Sequence, residues 1–108
     1  MANTFTSYMN KDVGTSAATV VTVGAATQTT IIGLCMANTA TSPITASAYV
    51  TRSGVDYYIV KNSTIPVGGS LVTVGADQKV VLITGDALKV VSSAAASIDS
   101  IVSVLNIT

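Results

Sequence analysis

The chain has 108 residues, of which 49% are hydrophobic and 9% charged, and its five basic and five acidic side chains leave no net charge. This length fits one domain, and the even balance excludes the basic patch of a nucleic-acid-binding or anionic-membrane-binding protein. Histidine and glutamate are absent, so the usual acid–base groups reduce to five aspartates.

Residues 1–12 show neither a basic start nor an apolar stretch, which predicts that the chain has no signal peptide and folds in a cytoplasm. The uncharged stretch 13–51 is interrupted by glycine, proline and many hydroxyl residues, so we expect no membrane span. A single cysteine, Cys35, lies in an apolar segment, where a buried structural thiol is expected.

Alternation of apolar and polar residues is the main signal along the chain, and it predicts β-strands. In chain order, the predicted strands cover residues 4–10, 18–23, 29–38, 44–52, 55–62, 71–74, 79–84, 88–92 and 98–107. Residues 1–12 are either an extended N-terminal arm or part of the first strand. Within 29–38, the alternation predicts a common face for Ile32, Leu34 and Met36.

Turn signals separate these strands. They are Gly14-Thr15-Ser16, Ser53-Gly54, Pro66 with Gly68-Gly69, Gly75-Ala76-Asp77 and Gly85-Asp86. Ser53-Gly54 predicts a hairpin between its flanking strands. About eight or nine short strands at this spacing predict an all-β fold, an antiparallel β-sandwich of the Ig-like or jelly-roll-like kind, in one domain over residues 1–108.

The search for catalytic or ligand-binding groups predicts that the chain is not an enzyme and holds no metal or cofactor. The aspartates fall mostly at predicted turns, where Asp bonds its own backbone. Cys35 and the serines have only lysines as candidate bases, and no motif supports such a pair. One cysteine and no histidine cannot build a zinc site.

Three tyrosines and an arginine cluster around the predicted hairpin. They form the candidate interface: Tyr49, Arg52, Tyr57 and Tyr58. Tyrosine and arginine are favoured at interface hot spots. An alternative is that the rings cap the edge of the sandwich. A third interpretation is an aromatic platform for sugars, formed by Tyr49, Tyr57 and Tyr58.

The segments 56–62, 65–71, 78–82, 85–90 and 98–105 together resemble small β-sandwich virion proteins of tailed bacteriophages, including cyanophages. The residues that carry the resemblance are Asp56-Tyr57-Tyr58-Ile59-Val60-Lys61-Asn62, Ile65-Pro66-Val67-Gly68-Gly69-Ser70-Leu71, Gln78-Lys79-Val80-Val81-Leu82, Gly85-Asp86-Ala87-Leu88-Lys89-Val90 and Ile98-Asp99-Ser100-Ile101-Val102-Ser103-Val104-Leu105. The likeness covers roughly residues 29–108 and carries no catalytic residues. It implies a capsid decoration or cement-like protein that coats or joins parts of a particle.

We therefore expect a capsid decoration protein located in the virion and synthesised in the host cytoplasm. Its partners would be the major capsid protein or other virion proteins, and copies of itself, for example as a trimer, with no nucleic acid or membrane. The scarcity of charge leaves edge strands such as 18–23 without the charged residues that block pairing. Two alternatives stay open: a neck, tail or fibre component, and a carbohydrate-binding adhesion module.

Overall fold

Nine β-strands account for the regular structure of residues 3–74 and 79–108, which are the residues that the computed structural model describes. The all-β prediction is confirmed, and this part of the chain has no helix that could cross a membrane. The strands are β1 (Asn3–Val13), β2 (Ala18–Thr22), β3 (Gln28–Asn38), β4 (Ile44–Arg52), β5 (Val55–Ile65), β6 (Ser70–Val74), β7 (Val80–Leu82), β8 (Ala87–Ser92) and β9 (Ile98–Ile107).

Two antiparallel sheets form the sandwich. The five-stranded sheet has the order β1-β9-β3-β6, with β7 also paired to β3, and the four-stranded sheet has the order β2-β8-β4-β5. The strand pairs are nested along the chain. The β4–β5 hairpin is the innermost pair, and it is followed outward by β3 with β6 and β7, then β2–β8, and finally β1–β9. This nesting is the winding of an eight-stranded jelly roll, with its sixth strand divided into β6 and β7.

The residues at the turns explain how the chain reverses direction between strands. Ser53 and Gly54 both have positive φ angles, 54° and 77°, which a two-residue type I′ turn requires, and the predicted β4–β5 hairpin is confirmed. The predicted turn at Gly85-Asp86 is also present, with the Asp86 N–H donating to the Ile83 carbonyl. It carries the chain from one sheet to the other, because β7 and β8 belong to different sheets.

The core lies between the sheets, and β3 supplies its largest side chains. Ile31, Leu34 and Met36 are buried, whereas Ile32 is partly exposed, so the predicted face is wrong at one position. The cause is an irregularity in the β3–β9 register between Ile31 and Gly33, which interrupts the alternation of faces. Because a bulge of this kind does not change the amino-acid composition of a strand, sequence analysis does not reveal it.

The structure also decides between the two predictions for the N-terminal residues and corrects the prediction that Cys35 is buried. Residues 3–13 form β1, which pairs with β9, so the strand alternative describes them and not the free arm. Cys35 is only half-buried, because it faces outward between Ile101 and Val72. The predicted turn at residues 75–77 lies outside the described residues.

Candidate interaction surfaces

The tyrosines of the β4–β5 hairpin lie close together but do not share one flat surface. Tyr49 and Tyr58 are cross-strand partners whose ring centroids are 5.0 Å apart with planes tilted by 40°. Tyr57 instead pairs with Val50, whose side chain is in the core, so its ring starts from the opposite side of β5. The three rings therefore do not form the single platform that stacking on a sugar would use.

Their surroundings also separate these tyrosines. Tyr49 is 9% exposed, whereas Tyr57 and Tyr58 are open to solvent. Burial, followed by the charge of Asp56 and by Tyr58, raises the pKa of the Tyr49 phenol. The Lys61 ammonium lies 5.0 Å from the centre of the Tyr58 ring, a cation–π contact. Tyr49 thus packs against Tyr58, and Tyr57 and Tyr58 are the exposed rings of the three.

Arg52 is held by an ion pair within the chain. Its Nε and one terminal nitrogen bond both oxygens of Asp86 at 2.6–3.1 Å, and the Asp86 carboxylate is 1% exposed. Asp86 also accepts the Ile83 N–H at 3.0 Å. The Arg52 hydrogen bonds, aided by the Ile83 N–H, lower the pKa of Asp86, and the same pairing raises the pKa of Arg52. Arg52 therefore fastens the hairpin to the β7–β8 turn.

An apolar groove of about 430 Å³ opens where the edge strands β5 and β7 of the two sheets face each other. Arg52, Tyr57 and Tyr58 line it, together with Val50, Ile59, Val80, Val81 and Leu82. The structure thus brings three of the four candidate residues to one groove, and Tyr49 is not among the residues that line it. Their role in an interface stays a prediction.

A larger exposed surface lies on the five-stranded sheet, on the side that faces away from the core, which we call the outer face. Phe5 and Met9 of β1 are 74% and 71% exposed there, and three further apolar side chains are at least 48% exposed: Val72, Val81 and Ile101. Strand alternation places them all on this side, since their immediate neighbours along β6, β7 and β9 face inward. Large exposed apolar patches mark protein or membrane contact sites.

Sequence reasoning missed the outer face because its residues come from separate segments of the chain. Met9, Val72 and Val81 each look like ordinary members of alternating strands. Only the pairing of β1 with β9, of β9 with β3, and of β3 with β6 and β7 brings them onto one surface. One local signal exists: Phe5 and Met9 lie on either side of Ser7 in a segment whose other positions are mostly polar, and both are exposed.

The structure places no metal-binding group of three or more His, Cys, Asp or Glu side chains within residues 3–74 and 79–108. Among the buried polar side chains of these residues, several join separate segments of the chain by hydrogen bonds. Asn38 is the fullest example: its Nδ2 donates to the carbonyls of Ser42, Ile65 and Pro66 at 3.0–3.2 Å, and its Oδ1 accepts the Ala40 N–H at 2.8 Å. It joins the end of β3 to the β5–β6 connection.

Comparison with known proteins finds similarity at the level of the fold. No family model matches the chain, and no curated protein matches it. A solved structure of Bacillus endospore appendages, described as a novel family of disulfide-linked pili, is similar with a TM-score of 0.56 and 15% identity. The alignment covers 99% of this chain and 87% of the pilus chain.

Proposed function

We propose that this chain is a non-enzymatic structural subunit that works by packing against other protein subunits in a repeating assembly. The observation that carries the proposal is the outer face, where large apolar side chains from β1, β6, β7 and β9 are open to water. Covering side chains of this kind lowers the free energy by roughly 25 cal/mol for each Å² of apolar surface removed from water. Singly exposed residues need no such explanation, but a continuous patch does.

The first form of this assembly is the virion, with the chain as a decoration protein on the outer capsid. The resemblance of segments 56–62, 65–71, 78–82, 85–90 and 98–105 to virion proteins supports it. Jelly-roll domains also recur in viral capsids, although a fold alone does not specify a function. A decoration protein would add many weak contacts that symmetry multiplies over the particle.

The second form is an extracellular filament, and the similarity to the spore-appendage pilus favours it. The bonding would have to differ from that of disulfide-linked pili. These 108 residues contain one cysteine, and one thiol per subunit can join two subunits but cannot continue a chain of disulfides. A filament built from this chain alone would therefore be held by non-covalent contacts.

Antibodies raised against the chain would locate it on particles and filaments from its source by immunogold electron microscopy. Quantitative mass spectrometry of purified particles would then count the copies. Hundreds of copies per particle indicate capsid decoration, and about six to twelve indicate a neck or tail position. Labelling along filaments indicates the second form. Finding the chain only as a free protein, in no particle or filament, would refute the proposal.

A further inference from the structure

We propose that the outer face of the five-stranded sheet is a homodimer interface, in which a second copy of this chain packs face to face about a two-fold axis. This inference rests on the proposed function and names the first partner of the subunit. Its support comes from the arrangement of apolar side chains on the face, from the charge distribution and from the area.

Register aligns the exposed side chains into two rows that cross the sheet. Met9 pairs with Ile101, Ile101 with Cys35, and Cys35 with Val72, which gives a row across four strands. The second row runs through Phe5, Leu105, Thr30 and Val81, again by direct cross-strand pairs. The rows are four residues apart along β1, or about 14 Å at the rise of an antiparallel strand.

Small residues fill the space between the two rows. Ser7 pairs with Ser103, and Ser103 pairs with Gly33, so the part of this middle row that lies on β1, β9 and β3 has no bulky side chain. The face therefore has two apolar ridges with a shallow trough between them. A ridge on a second copy fits that trough, because side chains of packed sheets interdigitate at a sheet separation of about 10 Å. A two-fold axis then places one ridge of each copy in the trough of the other.

The charges of this sheet favour a neutral partner. The charged residues within its five strands are Lys11, Asp12 and Asp99, which lie at one end of the face, and Lys79 directly precedes β7. Lys11 and Asp99 form an ion pair at 3.6 Å, and the Asp12 N–H donates to Asp99 at 3.0 Å. Among the residues that the structure describes, neither ridge contains a charged side chain, and a chain with no net charge does not repel its own copy.

The area of the outer face is close to that of a standard specific dimer interface. Strands of 10 or 11 residues in β1, β3 and β9, with β6 and β7 beside β3, give a face of roughly 700 Å² from the usual rise and spacing of strands. A standard specific interface covers about 800 Å² on each partner. The face alone therefore approaches the required size, and its apolar ridges resemble the core of a homodimer interface.

The test is sedimentation velocity of the full chain up to about 100 µM, because interfaces of this size have Kd values from micromolar downward. Ser103→Lys places an ammonium group in the trough of each copy, and we expect the dimer Kd to rise at least about tenfold, since both charges would be buried unpaired. The matched control is Thr64→Lys, at an exposed position of β5 on the outer surface of the other sheet. It should leave the dimer unchanged.

Cys35 provides a second measurement, since it lies within a ridge and is half-exposed in the subunit. Its alkylation rate should fall as the wild-type concentration is raised through the dimer Kd. Circular dichroism checks that both lysine variants remain folded, and Ile101→Lys in the same face substitutes for Ser103→Lys if that variant does not fold. A wild-type dimer that Ser103→Lys dissociates and Thr64→Lys leaves intact supports the proposal.

The homodimer proposal would be overturned by a monomeric wild type, by a trimer, or by a dimer that Ser103→Lys leaves unchanged. These outcomes are separable from the proposed function. A monomer that is nevertheless found in a particle refutes the dimer and keeps the structural role. A dimer that occurs in no particle or filament keeps the interface and refutes that role.

Discussion

Replacing Asp86 with asparagine tests how the candidate residue Arg52 is held. The carboxylate accepts three N–H groups, two from Arg52 and one from Ile83, and is almost completely buried. An asparagine amide would turn a donor toward one of these donors. We expect Asp86→Asn to lower the free energy of unfolding by about 2–3 kcal/mol at pH 7, because hydrogen bonds to a charged group are strong but Arg52 can still be hydrated.

The same substitution should change how stability depends on pH. The pKa of Asp86 is lowered in the folded chain, so the unfolded chain takes up this proton first as the pH falls. The contribution of Asp86 is therefore complete above its ordinary pKa of about 4 and is lost as the pH drops through the lower folded pKa. The difference between wild type and Asp86→Asn should thus be constant from pH 7 to about pH 5 and shrink toward zero in stronger acid.

Urea unfolding followed by circular dichroism, at a series of pH values, measures both effects. Asp56→Asn is the matched control, because Asp56 is exposed and accepts a single hydrogen bond, from the Thr51 hydroxyl at 2.7 Å. It should cost less than about 1 kcal/mol. A difference between wild type and Asp86→Asn that is absent at pH 7, or that persists unchanged in acid, would show that the Asp86 carboxylate does not hold Arg52 through its charge.

Four further predictions concern stability and association. Asn38→Ala should cost about 2–3 kcal/mol in urea unfolding, because it removes hydrogen bonds that join three backbone segments; a cost below about 1 kcal/mol would contradict this. Ile31→Ala should cost about 3 kcal/mol and Ile32→Ala far less, and equal costs would place the β3 bulge elsewhere. Gly54→Ala should cost about 1 kcal/mol because φ is positive there, whereas Gly24→Ala, which meets no atom within 4 Å, should cost little. Association of the wild type, measured by sedimentation, should be insensitive to NaCl and strengthened by sulfate, since it would rest on apolar burial; marked weakening by NaCl would contradict it.

Local patterns carried most of the strand assignment. β4 was predicted at its observed bounds because its alternation is regular, with Ile44, Ala46, Ala48 and Val50 all buried. The β4–β5 hairpin followed from Ser53-Gly54, whose backbone needs are local. Such features depend on a few neighbouring residues, and the sequence contains them in full.

Features that depend on pairing between distant segments were not accessible in the same way. The choice between Ig-like and jelly-roll-like winding rests on β1 pairing with β9, a contact that joins the two ends of the chain. The burial of Asp86 depends on Arg52, 34 residues away. For the candidate site, the sequence located the tyrosines but could not show that Tyr49 and Tyr57 lie on opposite sides of the hairpin.

The placement of charge connects the fold to the proposed role. Lys11 pairs with Asp99, and Arg52 pairs with Asp86. Charges neutralised within the subunit contribute little long-range attraction, so encounters with a partner would not be accelerated by electrostatic steering. Specificity must then come from the shape of apolar surfaces, which a rigid sandwich preserves. That mode of recognition suits a subunit that meets many identical copies at high local concentration, where weak contacts are multiplied and rapid capture from dilute solution is unnecessary.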